Sequence, residues 1–406
     1  MAASYTYPGV YVEEVPSGAR PIESAGTSTA VFIGTTKSGS AGEEPELIFK
    51  WQDYEEAFGG IKEVKDMTTS ADAMGLAVYT YFLNGGGAAY IVHVDEDTPA
   101  VSTDTVDGYD KVFVSLEKIR DINIICLPGK AWGNSESPTD DDIITSAINH
   151  AEKTMKNRMV IVDIAETTLN KPADVSALDL PSSPFAVTYY PWLKIANPSY
   201  VPPEEEGVPA AMPATLKIAP SSFVAGMWAK TDGRRGVWKA PAGIETVLLG
   251  ITEPTDNVHD AQQGVLNPLN VNCIRRMPGA GPVIWGTRTL ATKAEAEWRY
   301  VPVRRTANMI EESIYNNIQW AVFEPNDHRL WSSLRVNIDA FMNGLWRAGA
   351  FQGEKASDAY FVRCNLGDTM KQDDIDQGKV IVEVGFAPVK PAEFVIIHIQ
   401  QKVAQQ

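Results

Sequence analysis

Cysteine is scarce in this sequence, and its spacing excludes several kinds of site. The 406 residues contain three cysteines, Cys126, Cys273 and Cys364, and none of them belongs to a Cys-x-x-Cys pair. An odd number of widely separated cysteines does not make a disulfide framework, and a zinc ribbon or a redox pair needs closely spaced thiols. We therefore expect three structural thiols in the protein core and no metal site.

Basic residues are also in deficit. The sequence has 35 Lys and Arg residues against 52 Asp and Glu residues, which gives a formal net charge of −17. General binding to nucleic acid requires clustered cations that neutralise phosphates, so we expect no nucleic-acid partner. A negative charge of this size favours a subunit that avoids nucleic acid while it assembles.

Long apolar segments are missing as well. No apolar run approaches the roughly 20 residues that cross a bilayer, and the N-terminus lacks the charged and then apolar layout of a secretion signal. The hydrophobic content of 44% and the charged content of 21% are ordinary for a globular protein. These features predict a protein that folds in a cytoplasm, does not insert into membranes and divides into two or three domains.

In the first half of the sequence, apolar strands alternate with helical patterns. Apolar runs of strand length that are separated by helices are typical of a parallel sheet with helices on its faces. The sequence therefore predicts a mixed α/β fold class. The predicted strands are Thr29–Gly34, Ala89–Val94, Ile122–Leu127, Met159–Ile164 and Phe185–Tyr190, and the predicted helices are Ala71–Leu83, Lys111–Ile119 and Asp141–Lys156.

The second half begins with a segment of different composition. Between Pro198 and Pro220 the chain is rich in Pro, Glu and Ala, which predicts a surface excursion. Strands and helices are again predicted beyond residue 282. They are the strands Val283–Gly286 and Lys379–Phe386, the helices Asn308–Trp320 and His328–Arg347, and a terminal strand over Phe394–Gln400.

The helix predicted at His328–Arg347 has two distinct faces. At about 100° per residue, one face carries an apolar stripe. The opposite face carries Arg329 and Arg347, with Val336 and Ala340 between them. The pattern alone is typical of an amphipathic helix with one solvated face. The apolar stripe consists of Leu330, Leu334, Ile338, Phe341 and Leu345.

A serine-protease motif is the most suggestive chemical signal, and its context argues against catalysis. Gly26-Thr-Ser-Thr-Ala30 resembles the sequence around the nucleophile of subtilisin-like proteases. That nucleophile opens a helix and needs a histidine base and an orienting aspartate. Here Ser28 precedes a predicted strand, and none of the five histidines lies in the expected context. We expect no catalytic residue.

Three other polar clusters also have structural interpretations. The glycines at 85–87 follow a helix and precede a strand, the reverse of a phosphate-binding loop, so they indicate a helix cap. The aspartates at 140–142 lack the alternation of a calcium loop and indicate a charged first helical turn. Arg288 and the pair Arg304-Arg305 suggest an anion site, although buried or interface salt bridges are the favoured interpretation. No cofactor is expected.

Both ends of the chain are rich in strand-forming residues. A terminal strand at a sheet edge leaves backbone groups that another chain can pair with. The C-terminal strand has a simpler alternative, since it can form a hairpin with Lys379–Phe386. The candidate arm residues are Val10, Tyr11, Val12 and Val15 at one end, and Phe394, Val395, Ile396, Ile397 and Ile399 at the other.

Several motifs together resemble a known family. Their order along the chain is similar to that of the contractile tail sheath proteins of phage tails, tail-derived bacteriocins and injection systems. The N-terminal motif is Tyr7-Pro-Gly-Val-Tyr-Val-Glu-Glu-Val15. The others are Tyr190-Pro-Trp-Leu-Lys-Ile195, Gly236-Val-Trp-Lys-Ala-Pro-Ala-Gly243, Asn267-Pro-Leu-Asn270, Trp285-Gly-Thr-Arg-Thr-Leu290, Trp298-Arg-Tyr-Val-Pro-Val-Arg-Arg305 and Val322-Phe-Glu-Pro-Asn-Asp327.

The resemblance implies a domain plan. Residues 1–24 would be an N-terminal arm, and residues 25–95 and 285–390 would form one core domain. A middle domain, often called subtilisin-like, would span residues 96–284, and residues 391–406 would form a C-terminal strand arm.

It also implies a function and partners. The chain would be a structural subunit that assembles in the bacterial cytoplasm as stacked hexameric rings and contracts around an inner tube. Its partners would be copies of itself, the inner tube protein, and baseplate and terminator proteins. The helix face with Arg329, Val336, Ala340 and Arg347 would touch the tube. A hydrolase on the middle domain and a non-contractile baseplate module are the alternatives.

Overall fold

The computed structural model describes residues 21–39, 44–65, 71–94, 106–137, 139–203, 211–394 and 396. The strands are β1 (Ala30–Gly34), β2 (Glu46–Ile48), β3 (Ala89–His93), β4 (Ile124–Cys126), β5 (Met159–Val162), β6 (Ala186–Tyr190), β7 (Leu193–Ala196), β8 (Thr215–Ile218), β9 (Ile251–Pro254), β10 (Val271–Met277), β11 (Gly281–Trp285), β12 (Tyr360–Arg363) and β13 (Glu383–Phe386).

The helices are distributed along the whole described chain. Among these residues, no helix is long and apolar enough to cross a membrane. A π-helical segment, His150–Met155, extends α4. The helices are α1 (Trp51–Phe58), α2 (Ala73–Leu83), α3 (Val106–Leu116), α4 (Thr139–Asn149), α5 (Pro172–Ala177), α6 (Ser221–Arg235), α7 (Asp260–Leu266), α8 (Val301–Asn317), α9 (His328–Arg347), α10 (Ala356–Ala359) and α11 (Gln372–Asp376).

One eight-stranded sheet forms the centre of the molecule. Its strand order is β11-β10-β6-β5-β4-β1-β3-β2. The six inner strands are parallel, and an antiparallel strand closes each edge. The predicted parallel sheet and the mixed α/β class are therefore confirmed. The inner strands follow a doubly wound order, whereas the more specific subtilisin-like fold stays a prediction.

Both faces of this sheet are buried under helices. Phe32 of β1 packs in a core with side chains of α2 and α6, whereas its neighbour Val31 packs in a core with α3 and α4. Successive strand residues point to opposite faces, so a strand covered on both sides must be apolar throughout. This requirement explains the continuous apolar runs of the sequence.

The sheet crosses the predicted domain boundary at residue 95. Strands β1 and β3 lie before this boundary and β4 lies after it, yet β1 pairs with both. The register places Ala30 beside Ala89 on one side and beside Ile124 on the other. The first part of the predicted core domain and the predicted middle domain therefore share one hydrogen-bonded sheet.

A small antiparallel sheet replaces part of the predicted excursion. Its strand order is β8-β7-β9. Strand β8 lies inside the segment between Pro198 and Pro220, where no strand was predicted, and pairs with β7. Leu216 and Ile218 of β8 are buried while the residues between and before them are exposed. This alternation is a strand signal that the Pro- and Glu-rich composition around it obscured.

The C-terminal part forms its own smaller core. Helix α9 packs against the two-stranded sheet of β12 and β13 and against the end of α8, with Ile338 and Met342 fully buried between them. The strand predicted at Lys379–Phe386 begins later than expected, at Glu383. Its partner is β12, in an antiparallel register that pairs Tyr360 with Phe386.

The first described residues pack against the C-terminal part. The backbone N–H of Ala25 donates to the Oγ of Ser313 on α8 at 2.8 Å. On the same helix, Arg305 donates to the carbonyl of Thr27 at 2.9 Å and forms a bidentate ion pair with Asp232 of α6. Both charged side chains are almost fully buried. The ion pair thus joins α6, α8 and the segment that leads into β1.

We expect the Arg305–Asp232 pair to be required for stability, because removing one partner leaves a buried charge uncompensated. Arg305→Met should lower the free energy of unfolding by about 3–5 kcal/mol, and adding Asp232→Leu should recover much of that loss. Denaturant titration followed by circular dichroism measures both values. The matched control is Arg235→Met, whose exposed pair with Glu245 should contribute less than about 1 kcal/mol. An Arg305→Met loss no larger than the control would contradict the expectation.

Candidate assembly surfaces

Helix α9 has the two faces that its sequence predicts. Asp327 caps its N-terminus by accepting hydrogen bonds from the backbone N–H groups of Arg329 and Leu330, at 2.8 and 3.1 Å. The N-terminal cap and the buried inner stripe together fix the orientation of α9. Its outer face therefore points in one direction. The inner stripe is formed by Leu330, Trp331, Leu334, Ile338, Met342 and Leu345, all buried, with Phe341 half-buried at its edge.

The outer face of α9 is open to solvent. Arg329, Val336, Ala340 and Arg347 are all exposed, and Val336 keeps 64% of its surface accessible. Neither Arg329 nor Arg347 forms an ion pair with another described residue. The exposure of these residues is as the helical pattern predicts. Their contact with a tube stays a prediction.

The loop before α9 extends the exposed apolar surface. Phe323 is fully exposed, Val322 is largely exposed, and the backbone of Phe323 has a positive φ of 69°. A bulky residue rarely adopts this conformation, because its Cβ crowds the backbone. Phe323 belongs to the family motif Val322-Phe-Glu-Pro-Asn-Asp327. An exposed aromatic residue with a strained backbone marks this loop as a candidate contact.

The small sheet of β12 and β13 has two free edges. Among the described residues, each of these strands pairs only with the other. An unpaired edge offers a row of backbone N–H and C=O groups to a further strand. The sheet is therefore a candidate acceptor for strands from other chains.

The predicted terminal arms can be located only in part. Val10, Tyr11, Val12, Val15, Val395, Ile397 and Ile399 lie outside the described residues. Phe394 and Ile396 are described, and they are 73% and 77% exposed. Residues 391–394 form no strand, and the alternative hairpin with Lys379–Phe386 falls mostly on residues that are not described.

The arginines that suggested an anion site form ion pairs instead. Arg304 pairs with Glu311 at 2.8 Å and Arg305 pairs with Asp232. Arg288 forms a bidentate pair with Glu393, the residue just before the candidate arm residue Phe394. The favoured interpretation as buried or interface salt bridges agrees with these contacts, although Glu311 keeps 54% of its side-chain surface exposed. The partner of Arg288 had no signal in the sequence.

The protease-like motif does not assemble a catalytic site. Ser28 lies before β1, and the only hydrogen bond of Ser28 among described residues is the one its backbone carbonyl accepts from Tyr81. His93 contacts Thr36, and His150 contacts Arg158. Among the described residues no cluster of potential metal ligands is present.

Asp163 is a buried acid at the carboxyl end of β5, and nothing in the sequence pattern indicated its burial. Asp163 accepts hydrogen bonds from the Oγ of Ser221 at 2.5 Å and from its backbone N–H at 3.0 Å. Ser221 opens α6, so the pair fixes the start of this helix against the sheet. Burial raises the pKa of Asp163 to about 7, although the two hydrogen bonds oppose the shift.

Family models cover most of the chain. The model of the phage tail sheath protein central domain matches residues 100–290, and that of the phage tail sheath C-terminal domain matches residues 293–402. A prophage major tail sheath protein of Pseudomonas aeruginosa strain UCBPP-PA14 is 28% identical over 189 residues, 45% of this chain and 46% of that protein. The tail sheath protein of Burkholderia phage BcepMu is 32% identical over 141 residues, 34% of this chain and 30% of that protein. The matches span less than half of these relatives.

Solved structures match along almost the whole chain. One match is a chain of the sheath complex of PVC, an extracellular contractile injection system, in its contracted state. The two chains are 33% identical with a TM-score of 0.73, and the match covers 99% of each. The contracted helical sheath of the anti-feeding prophage has a TM-score of 0.73 and 31% identity, over 98% of this chain and 100% of the other. A chain in the baseplate structure of the same particle gives the same values. The similar proteins are structural, not enzymes.

The buried Asp163 predicts a distinctive pH dependence. The pKa of Asp163 is higher in the folded state than in the unfolded state, so between these two pKa values the folded state holds a proton that the unfolded state has released. The free energy of unfolding therefore falls as the pH rises towards 7. Asp163→Asn removes this contribution while it keeps the hydrogen-bonding shape. The stability of the variant relative to the unaltered protein should rise by about 2 kcal/mol from pH 5 to pH 8.

Chemical denaturation at several pH values measures this difference. The matched control is Asp174→Asn, because the pKa of the exposed Asp174 is lowered by backbone N–H groups and the carboxylate stays ionised across this range. Its effect should be the same at every pH. A constant difference for Asp163→Asn as well would refute the prediction.

Proposed function

The chain belongs to the contractile tail sheath family, and on this premise we propose that it is a structural sheath subunit. Subunits polymerise as stacked hexameric rings around an inner tube protein, and contraction drives the tube through a target cell envelope. The observation that carries the proposal is the likeness over 99% of the chain, at 33% identity, to a chain of a contracted sheath complex.

The proposed partners follow from this role. They are copies of the same chain, the inner tube protein, baseplate proteins and a terminator or cap protein. The likeness to a chain in the baseplate structure of the anti-feeding prophage supports the baseplate contact. The particle is a phage tail or a tail-like particle, and it assembles in the bacterial cytoplasm.

We further propose that subunits are joined by strand addition. The two free edges of the β12–β13 sheet accept terminal arms from neighbouring subunits, with Val10, Tyr11, Val12 and Val15 in one arm and Phe394 to Ile399 in the other. An added strand of about six residues makes around five backbone hydrogen bonds, each with a net contribution of about 1 kcal/mol. Backbone pairing of this kind can persist while the subunit bodies change their packing.

The outer face of α9 is the proposed tube contact. Arg329 and Arg347 supply positive charge and form no ion pair with another described residue, and Val336 and Ala340 supply an apolar strip between them. Phe323 stands in the loop that leads into this helix and adds an apolar anchor. In this arrangement residues 285–390 face the tube, and the main part of residues 96–284 points outward.

We expect changes that block strand pairing by the C-terminal arm to abolish polymerisation without unfolding the subunit. Proline lacks a backbone N–H, and successive N–H groups of a strand point to opposite edges. The double change Ile396→Pro, Ile397→Pro therefore removes a ladder donor whichever edge is used. The double change to Thr keeps both donors and is the matched control.

Negative-stain microscopy and size-exclusion chromatography with circular dichroism separate the outcomes. We expect rings or tubes from the unaltered chain and the Thr control, and folded monomers from the Pro variant. Tubes of normal length from the Pro variant would refute strand addition by this arm. Loss of fold in the Pro variant would favour the hairpin alternative, in which the segment belongs to its own subunit. Monomers from the unaltered chain would count against a sheath role.

Charge reversal on the outer face of α9 should weaken attachment to the tube. The double change Arg329→Glu, Arg347→Glu alters exposed residues, so the melting temperature should stay nearly the same. Binding to the tube protein should fall, most strongly at low salt, since screening weakens the contacts of exposed charges. The control is Lys111→Glu, Lys118→Glu, which makes the same change in net charge at exposed residues elsewhere. Co-sedimentation with tube protein measures the effect, and equal binding by both variants would contradict it.

A further inference from the structure

Residues 387–393, which precede the first candidate residue of the C-terminal arm, Phe394, connect two parts of the molecule. At its start, the N–H of Ala387 donates to the carbonyl of Ala359, and the carbonyl of Ala387 accepts from Gln352, both at 2.8 Å. Pro388 then forms an isolated bridge with Phe351. These contacts hold the start of the segment on the β12–β13 side of the molecule.

The end of the segment is held on the edge of the large sheet. Both carboxylate oxygens of Glu393 accept hydrogen bonds from Arg288, from Nε at 2.8 Å and from Nη2 at 2.6 Å. The hydroxyl of Tyr300 donates to the same carboxylate at 3.2 Å. Arg288 and Glu393 keep only 12% and 15% of their side-chain surface. A bidentate pair with so little solvent contact is stronger than an exposed one and has a defined direction.

Arg288 is itself held in place before it meets Glu393. Its Nη1 donates to the carbonyl of Asn267 at 2.9 Å, and its backbone N–H and C=O both bond to the side chain of Asn272 on β10, each at 2.7 Å. Its backbone also bridges to Tyr300. The guanidinium therefore points at Glu393 from a rigid support.

Between its two ends, the segment spans an open space. A cavity of about 1030 Å³ is lined on one side by residues 389–394, and its other walls include Trp238, Trp285 and Gly349, which follows α9. A segment that packs poorly along its length depends on its end contacts for its position. The pair with Arg288 is the last side-chain anchor in the described chain before the exposed Phe394.

We propose that Arg288 is a positioning residue for assembly: by clamping Glu393 it fixes the point and direction at which the C-terminal arm leaves the subunit. This inference rests on the proposed sheath function. When the clamp is absent, the freely moving segment begins at Val389 instead of Phe394. Those additional residues must then lose their conformational freedom each time a neighbour captures the arm, so assembly becomes less favourable.

Backbone order parameters from NMR relaxation, together with polymerisation of three variants, test the clamp. Glu393→Gln keeps the shape of the side chain but removes its charge, and Arg288→Lys keeps the charge but removes the bidentate geometry. The exchanged pair Arg288→Glu, Glu393→Arg restores opposite charges. The matched control is Asp260→Asn, which breaks the ion pair of Asp260 with Arg275 on the wall of the same cavity.

In the unassembled subunit, Glu393→Gln and Arg288→Lys should lower the backbone order parameters at residues 389, 390, 392 and 393, while the melting temperature changes little. In sedimentation assays both variants should raise the critical concentration for tube formation by about tenfold or more, since several residues are ordered anew on assembly. The exchanged pair should recover part of both effects. Asp260→Asn should change neither.

Two results would overturn the inference. One is unchanged order parameters at residues 389, 390, 392 and 393 in Glu393→Gln, which would show that the pair does not hold the segment. The other is lower order parameters with an unaltered critical concentration, which would show that holding the segment has no role in assembly. If the unaltered chain forms no tubes, the sheath proposal fails while the relaxation measurement still reports on the clamp.

Discussion

A parallel sheet must be covered on both faces, and most of this structure follows from that constraint. Six parallel strands bury alternate side chains in two opposite layers, so α2 and α6 are required on one face and α3 and α4 on the other. Strand β1 lies inside the sheet, between β3 and β4. The segment that enters β1 therefore contacts the buried Arg305–Asp232 pair and α8. These contacts join the first described residues to the C-terminal part of the protein.

The large sheet and the β12–β13 sheet differ in what lies along their edges. One edge strand of the large sheet, β2, has only three residues, which limits its use as a template for other chains. The other edge strand, β11, accepts backbone hydrogen bonds from Gly243 and Leu248. Among the described residues, β12 and β13 pair only with each other. A large sheet with protected edges beside a small sheet with open ones suits a subunit that keeps its own fold while neighbours are added to it.

Polar and charged residues inside the molecule serve its architecture. Asp163 anchors the start of α6 through Ser221, and Asp140 at the start of α4 accepts hydrogen bonds from Ser137 and from the backbone of Ala131. The ion pairs of Arg305 and Arg288 join segments that are far apart in the sequence. Such contacts define how the parts of one subunit are held together.

The sequence by itself determined the features that depend on local pattern. Apolar runs alternating with helices predicted the parallel sheet, and the two faces of α9 followed from the helical period, down to the exposure of Arg329, Val336, Ala340 and Arg347. The family was recognisable from the order of short motifs. Strand β8 was missed because the composition of the surrounding segment obscured four residues of alternation.

Contacts between distant residues were decided only by the tertiary structure. Three examples are the pairing of β1 with β4 across residue 95, the choice of β12 as the partner of β13, and the clamp of Arg288 on Glu393, which are 105 positions apart. Periodicity and composition describe neighbours along the chain. They carry no information on which strand edge or which carboxylate a folded chain brings within hydrogen-bonding distance, because that depends on how all the layers pack at once.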